Sequence, residues 1–208
     1  MRYDMDVHPP FKGDTEAFFR KLKENEITKC CGEVRCEDIE AANAFAYSLK
    51  SDMYTPALLL DGTQKELSLA QLELYGPKGI RIAAGLRRQD TELLTACRDK
   101  GFIVKSADAD ICADYPDMKV ILDCSILAPL QLQPLMEKYE NLYVLTRMLA
   151  YNYYLHSAGE LCSCKRILFG SGYPDFSLAY QIAAVEWELR DNWEAGRILY
   201  ANYERLMR

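Results

Sequence analysis

The chain has 208 residues, half of them apolar and 27% charged, and carries a net charge of −6. That length buries a sizeable core in one domain, and the acidic balance excludes a general nucleic-acid binder, whose phosphate contacts need a basic face. No apolar run approaches the roughly 18 residues of a membrane span, and the start, MRYDMDVHPP, lacks the basic-then-apolar form of a signal peptide. A cytoplasmic location with no membrane partner is expected.

In chain order, short β-rich runs alternate with stretches of helical period. RYDMDV (2–7) precedes TEAFFRKLKEN, which puts Phe18, Phe19 and Leu22 on one face. ITKCCGEV (27–34) precedes EDIEAANAFAYSLK, which brings Ile39, Ala42, Ala46 and Leu49 together. YTPALLL (54–60), GIRIAA (79–84), GFIVKS (101–106), MKVILDC (118–124), NLYVLT (141–146) and RILFG (166–170) continue the series, with helical stretches such as DTELLTACRDK, PLQLQPLMEKY and SLAYQIAAVEWELR among them. Strands that alternate with helices predict parallel pairing with both sheet faces covered. An open doubly wound sheet and a closed (β/α)8 barrel both satisfy this. The missing Gly-x-Gly-x-x-Gly after the first strand and the polar residues near strand ends favour the barrel.

The expected fold is therefore a compact α/β protein, a (β/α)8 TIM-like barrel with short loops, spanning 1–208 as one domain. A barrel typically takes about 250 residues, so one helix should be short or missing. The apolar surface this leaves predicts a homodimer.

In a barrel, function sits where strands end and helices begin. Asp4, Asp6 and His8 are spaced two apart, which places all three on one face of the first strand. Two carboxylates and an imidazole there suit a divalent metal; a turn-capping Asp and a His packed on proline explain them as well. The second strand ends in Cys31, Glu33 and Arg35, the fourth carries Arg81, the fifth Lys105, the sixth Asp123 and Cys124, and the seventh Thr146 and Arg147. Arg35, Arg81, Lys105 and Arg147 form a candidate pocket for a small anion, unless these cations are simply solvated. The charged stretch RQDTELLTACRDK, the tyrosines of YNYYLH and His156 read as helix surface and packing. The eight cysteines lack Cys-x-x-Cys spacing and read as buried thiols. A reactive thiol at Cys31 or Cys124 would need a cation such as Arg35 or Lys105 beside it.

YDMDVHPPF at the first strand, RILFGSGYP at the last and the closing EAGRILYANYERLM together resemble the amidohydrolase-related metal-dependent hydrolases, across essentially the whole chain. Ile198, Leu199, Asn202, Arg205 and Leu206 match that family's C-terminal helix. The resemblance implies a distorted barrel with a metal centre that activates water, or in some members supports decarboxylation. It also implies a set of departures. Asp6 stands where the first histidine of Asp-x-His-x-His would be, and His8 is the second. No histidine is present in FIVKSAD, where Lys105 lies. Cys124 replaces the histidine of the sixth strand, and Gly172 replaces the catalytic aspartate, with Asp175 three residues on and expected inside the next helix. The surviving metal set is Asp6, His8 and Cys124, which would hold zinc or another divalent metal, or none. No catalytic residue is assigned.

Two functions follow. In one, the barrel is weakly active or non-catalytic and binds a small anionic metabolite through Arg35, Arg81, Lys105 and Arg147. In the other, a rearranged site with Glu33 or Asp123 as base hydrolyses an ester, amide or lactone. Losing a positioned base costs about 10²–10⁴ in rate.

Overall fold

The computed structural model describes residues 1–49, 51–123, 129–147, 164–189 and 192–207. Its strands are β1 (Arg2–Asp4), β2 (Ile27–Gly32), β3 (Tyr54–Pro56), β4 (Leu58–Leu59), β5 (Ile82–Ala84), β6 (Ile103–Ser106), β7 (Val120–Leu122), β8 (Leu142–Leu145) and β9 (Ile167–Leu168). All pair in parallel, in the orders β1-β2-β3 and β4 through β9. β3 and β4 are halves of one stave broken at Ala57: Pro56 pairs back to Gly32, and Leu58 pairs forward to Ala83. Each apolar run of the sequence thus supplies one stave.

The ring closes between its first and last strands. Met5 N–H donates to Phe169 O, Gly172 N–H to Asp6 O and His8 N–H to Tyr173 O, each at 2.8 Å, and Val7 bridges Tyr173 in parallel.

Strand alternation sorts the apolar side chains into two layers. Cys31, Ile82, Ile103, Ile121, Leu145 and Leu168 point into the barrel, while Cys30, Ala83, Val104, Val120, Val144 and Ile167 pack outward under the helices. Each large aliphatic side chain so buried contributes about 1.5–3 kcal/mol.

Three of the outer helices begin at side-chain caps. α1 (Thr15–Glu24), α2 (Ile39–Ser48) and the helix Leu178–Glu188 start after Asp14, Asp38 and Ser177, whose side chains accept from Ala17, Ala41 and Tyr180 N–H. The helix at Ile111–Asp114 is a single turn, which is the economy that the chain length demanded. Among the described residues, no helix is long and apolar enough to cross a membrane.

The C-terminal segment closes the amino-terminal end of the barrel. It runs as Asn192–Gly196, a π turn at Arg197–Ala201, and Asn202–Met207. Tyr203 and Leu206 join the inner layer, and Tyr3 meets Tyr200 and Tyr203 edge-on with ring centres 4.9 Å apart. Asn202 Nδ2 donates to Cys164 O at 2.5 Å and Ile167 O at 2.7 Å, and Arg205 donates to Lys165 O. The residues that carry the C-terminal resemblance are therefore anchors and a plug. They lie far from the strand ends that bear charge.

Candidate functional site

The charged side chains gather at the carboxyl ends of the strands. Glu33 follows the inward Cys31, Lys105 follows Ile103, Asp123 follows Ile121, and Arg147 follows Leu145, each two residues on and so on the same inner face. β1 breaks this rule. Its ladder ends at Asp4, whose Oδ1 accepts from Asp6 N–H at 3.1 Å and from Ser171 N–H at 3.0 Å. Asp4, expected to share a face with Asp6 and His8, instead holds backbone, because two buried amides outside the ladder need an acceptor. Asp6 and His8 alone enter the cluster.

Lys105 lies at its centre. Its Nζ is 2.5 Å from Asp6 Oδ1 and 2.9 and 3.1 Å from the two oxygens of Glu33, so all three ammonium donors are engaged. Arg147 Nη1 lies 3.0 Å from Asp6 Oδ2, and its Nη2 pairs with Asp123. His8 Nε2 is 3.3 Å from Asp6 Oδ1, and its Nδ1 is 3.3 Å from Glu33 Oε1. Arg35 reaches in from the rim, 2.7 Å from His8 Nε2 and 2.7 Å from Asp175 Oδ2. Asp6 is wholly buried, and Glu33, His8, Lys105 and Arg147 nearly so.

These contacts set the protonation states. Burial alone would raise Asp6, but Lys105, with His8 and Arg147, outweighs it and holds the carboxyl well below its usual range. Glu33 is lowered against burial, chiefly by Lys105, and Asp123 against burial by Arg147. Lys105 and Arg147 are raised in turn, since Asp6 and its neighbours more than offset desolvation. Asp4 behaves oppositely: burial, only partly countered by its hydrogen bonds with Ser171 and Asp6, pushes it up to about 7. A general base is most effective with a pKa near the working pH. Glu33 and Asp123, expected to fill that role, are instead anions locked to cations.

Asp6, His8 and Glu33 each offer one ligand atom, and these atoms lie within 4.8 Å of one another. By residue type this is an acceptable set for manganese or zinc. By geometry it does not fit an ion as folded. A metal bonded to Asp6 and Glu33 would compete with Lys105 Nζ for the space between them, and even displaced to about 3 Å from the ammonium a dication is opposed by on the order of 10 kcal/mol at an effective dielectric of 20.

The position opposite is filled as well. Gly172 has φ +67°, and a Cβ there would come within 2.5 Å of Arg147 Cδ and 2.8 Å of the Phe176 ring. Arg147 covers the place from which an aspartate at 172 would project. Asp175 lies in the turn before the helix Leu178–Glu188 rather than inside it, and so reaches the mouth through Arg35.

Of the four candidate anion ligands, the fold unites Arg35, Lys105 and Arg147. Arg81 is a correction. It precedes β5 and therefore lies at the opposite end of the barrel, where its Nη1 donates to Gly76 O at 2.6 Å and Ile80 O at 3.2 Å. Beside the cluster opens a cavity of about 670 Å³ whose lining includes Glu33, Arg35, Arg87, Lys105, Asp108 and Asp123. Cys31 is no nucleophile: it sits in the inner layer, and burial drives its thiol far up. Cys124, the tyrosines at 151, 153 and 154, and His156 lie outside the described residues. Glu33 was not among the predicted metal donors, although its two-residue step from Cys31 marked it as facing the mouth.

No protein-family model matches the sequence, and no curated protein matches it. Solved structures do. An uncharacterized TIM-barrel protein from Bordetella bronchiseptica superposes with a TM-score of 0.80 at 19% identity, covering 99% of this chain and 98% of that one. The chain is a TIM barrel. A dihydroxybenzoic acid decarboxylase from a Polaromonas species, with bound manganese and the inhibitor 2-nitroresorcinol, matches this barrel with a TM-score of 0.74 at 11% identity, over 99% of this chain and 96% of that one. A putative amidohydrolase from Staphylococcus aureus matches with a TM-score of 0.72 at 9% identity, over 99% of each. The likeness is one of fold, and it bears out the barrel that the sequence led us to expect.

Proposed function

We propose that this barrel is a metal-independent relative of the amidohydrolases that binds a small carboxylate-bearing ligand at its mouth and has little or no hydrolytic activity. The observation that carries this is the Lys105 ammonium seated between Asp6 and Glu33, 2.5 and 2.9 Å away. Water activation in this family's manner needs a metal and a free base. Here a lysine occupies the hollow between the donors, and each candidate carboxylate is spent on a cation.

The ligand class follows from what can be exchanged. Lys105 and Arg147 are buried and already doubly paired. The Arg35–Asp175 pair has side chains 49% and 54% exposed, and such pairs are worth about 0–1 kcal/mol. A ligand carboxylate can replace Asp175 on Arg35 at small cost and accept a bidentate contact, with its body in the cavity lined by Arg87 and Leu86. 2-Nitroresorcinol, the inhibitor bound by the manganese decarboxylase, and simple aromatic carboxylates are suitable first probes.

A second reading has one observation in its favour, the proximity of ligand atoms on Asp6, His8 and Glu33. It makes the protein a metal-dependent hydrolase of an ester, amide or lactone, and it requires Lys105 to leave the cluster. Elemental analysis of untagged protein, before and after exposure to zinc and manganese, separates the two. The binding reading expects no stoichiometric metal, thermal stabilisation by carboxylates, and its loss in Arg35→Ala. Stoichiometric metal together with ester or lactone turnover would establish the second reading instead.

A further inference from the structure

We infer that Lys105 is a built-in substitute for a divalent cation, and that shortening this one side chain converts the mouth of the barrel into a metal site on Asp6, His8 and Glu33. The inference rests on the metal-independent reading above. It concerns only the cation at the cluster's centre and makes no use of the ligand.

Three observations carry it. The Lys105 ammonium contacts both carboxylates of the donor set directly, at 2.5 Å to Asp6 Oδ1 and at 2.9 and 3.1 Å to Glu33. The ligand atoms of Asp6, His8 and Glu33 remain within 4.8 Å of one another around it, close enough for side-chain rotation to draw them to the roughly 3.3–3.6 Å that separates ligand atoms around an ion with bonds of about 2.0–2.2 Å. His8 Nδ1 is buried and makes no hydrogen bond among the described residues, although Glu33 Oε1 lies 3.3 Å away, so an imidazole nitrogen already stands beside a carboxylate of the same donor set.

Charge bookkeeping agrees. Asp6, Glu33 and Asp123 face Lys105 and Arg147, three carboxylates against two cations. Without Lys105 the deficit is two charges, which a dication cancels. With Lys105 present, the same ion would leave the cluster with an excess of positive charge. Arg147 is retained in either state, because it holds the other oxygen of Asp6 and reaches Asp123.

The test is metal uptake by Lys105→Ala, with Lys105→Arg and the unaltered protein as controls, read by elemental analysis after dialysis and by calorimetric titration with Mn²⁺ and Zn²⁺. We expect about one ion per chain in Lys105→Ala, bound at least about a hundredfold more tightly than by either control. Adding His8→Ala to Lys105→Ala should lose it again. Removing the lysine also leaves carboxylates unpaired, so Lys105→Ala is followed by thermal unfolding with and without Mn²⁺. A variant that folds only with metal supports the inference, since the ion then replaces the ammonium in stability too.

Unaltered protein that takes up stoichiometric metal overturns both this inference and the reading it rests on. Metal-free unaltered protein beside a Lys105→Ala variant that binds none, folded or not, overturns the inference alone.

Discussion

Asp4→Asn isolates a single buried charge. Asp4 is fully buried, and its carboxyl is pushed up to about 7 from an ordinary value of 3.8. A carboxyl raised in the folded state binds its proton more tightly there than in the unfolded chain. Its contribution to stability is therefore complete below the unfolded value and lost as pH rises through the folded one. From 3.8 to about 7 is roughly three units, and at 1.36 kcal/mol per unit the wild type should lose on the order of 4 kcal/mol across that window. Asp6, Glu33 and Asp123 are lowered, so they act in the opposite sense and only as pH falls below the usual carboxylate range. Among the described carboxyls, the slope between pH 5 and 7 belongs to Asp4. In Asp4→Asn the amide oxygen still accepts from Asp6 and Ser171 N–H, while the new NH2 group falls where Oδ2 has no partner among the described residues. That adds a penalty of about 1–3 kcal/mol which does not vary with pH. Urea unfolding at pH 5, 6, 7 and 8 measures the difference. Wild type should lose stability between pH 5 and 7, and the variant should be flatter by about 1 kcal/mol per pH unit. Parallel profiles would refute the assignment of a raised carboxyl to this position.

Asn202→Ala removes the donor shared by Cys164 and Ile167 carbonyls and should cost about 2–4 kcal/mol in denaturant unfolding, since two buried acceptors lose their partner. Gly172→Asp should not create hydrolytic activity. Its Cβ would meet Arg147 Cδ at 2.5 Å with φ at +67°, so a loss of about 2 kcal/mol or more in thermal or urea unfolding is expected, with esterase and lactonase assays unchanged.

The barrel was legible because its signals are local. Every apolar run found in the sequence is a stave, and the two-residue steps from Cys31 to Glu33 and from Ile103 to Lys105 correctly turn charged groups toward the mouth. Local pattern failed where the chain leaves its ladder. After Asp4 the backbone bends around its own carboxylate, so the even spacing of Asp4, Asp6 and His8 misstated which of them share a face. Arg81 was misplaced because a residue at the start of a strand carries the same alternation as one at its end. The pairing of Lys105 with Asp6 and Glu33 joins positions 99 and 72 residues apart. Spacing cannot disclose such a partnership. The resemblance marked positions where histidines would be expected, and only the assembled barrel shows Lys105 and Arg147 drawn together on Asp6.

The closing seam has a consequence for the order of assembly. Met5, Asp6 and His8 find their backbone partners in Phe169, Gly172 and Tyr173, near the other end of the sequence. Contacts of such separation form late, because the loop-closure entropy must be met first. Until the last stave docks, Asp4 and Asp6 stand in water and bear no desolvation penalty. The burial of these two carboxylates is thereby deferred to the step at which a surrounding barrel already exists to receive them. An unfinished ring strands neither of these two carboxylates.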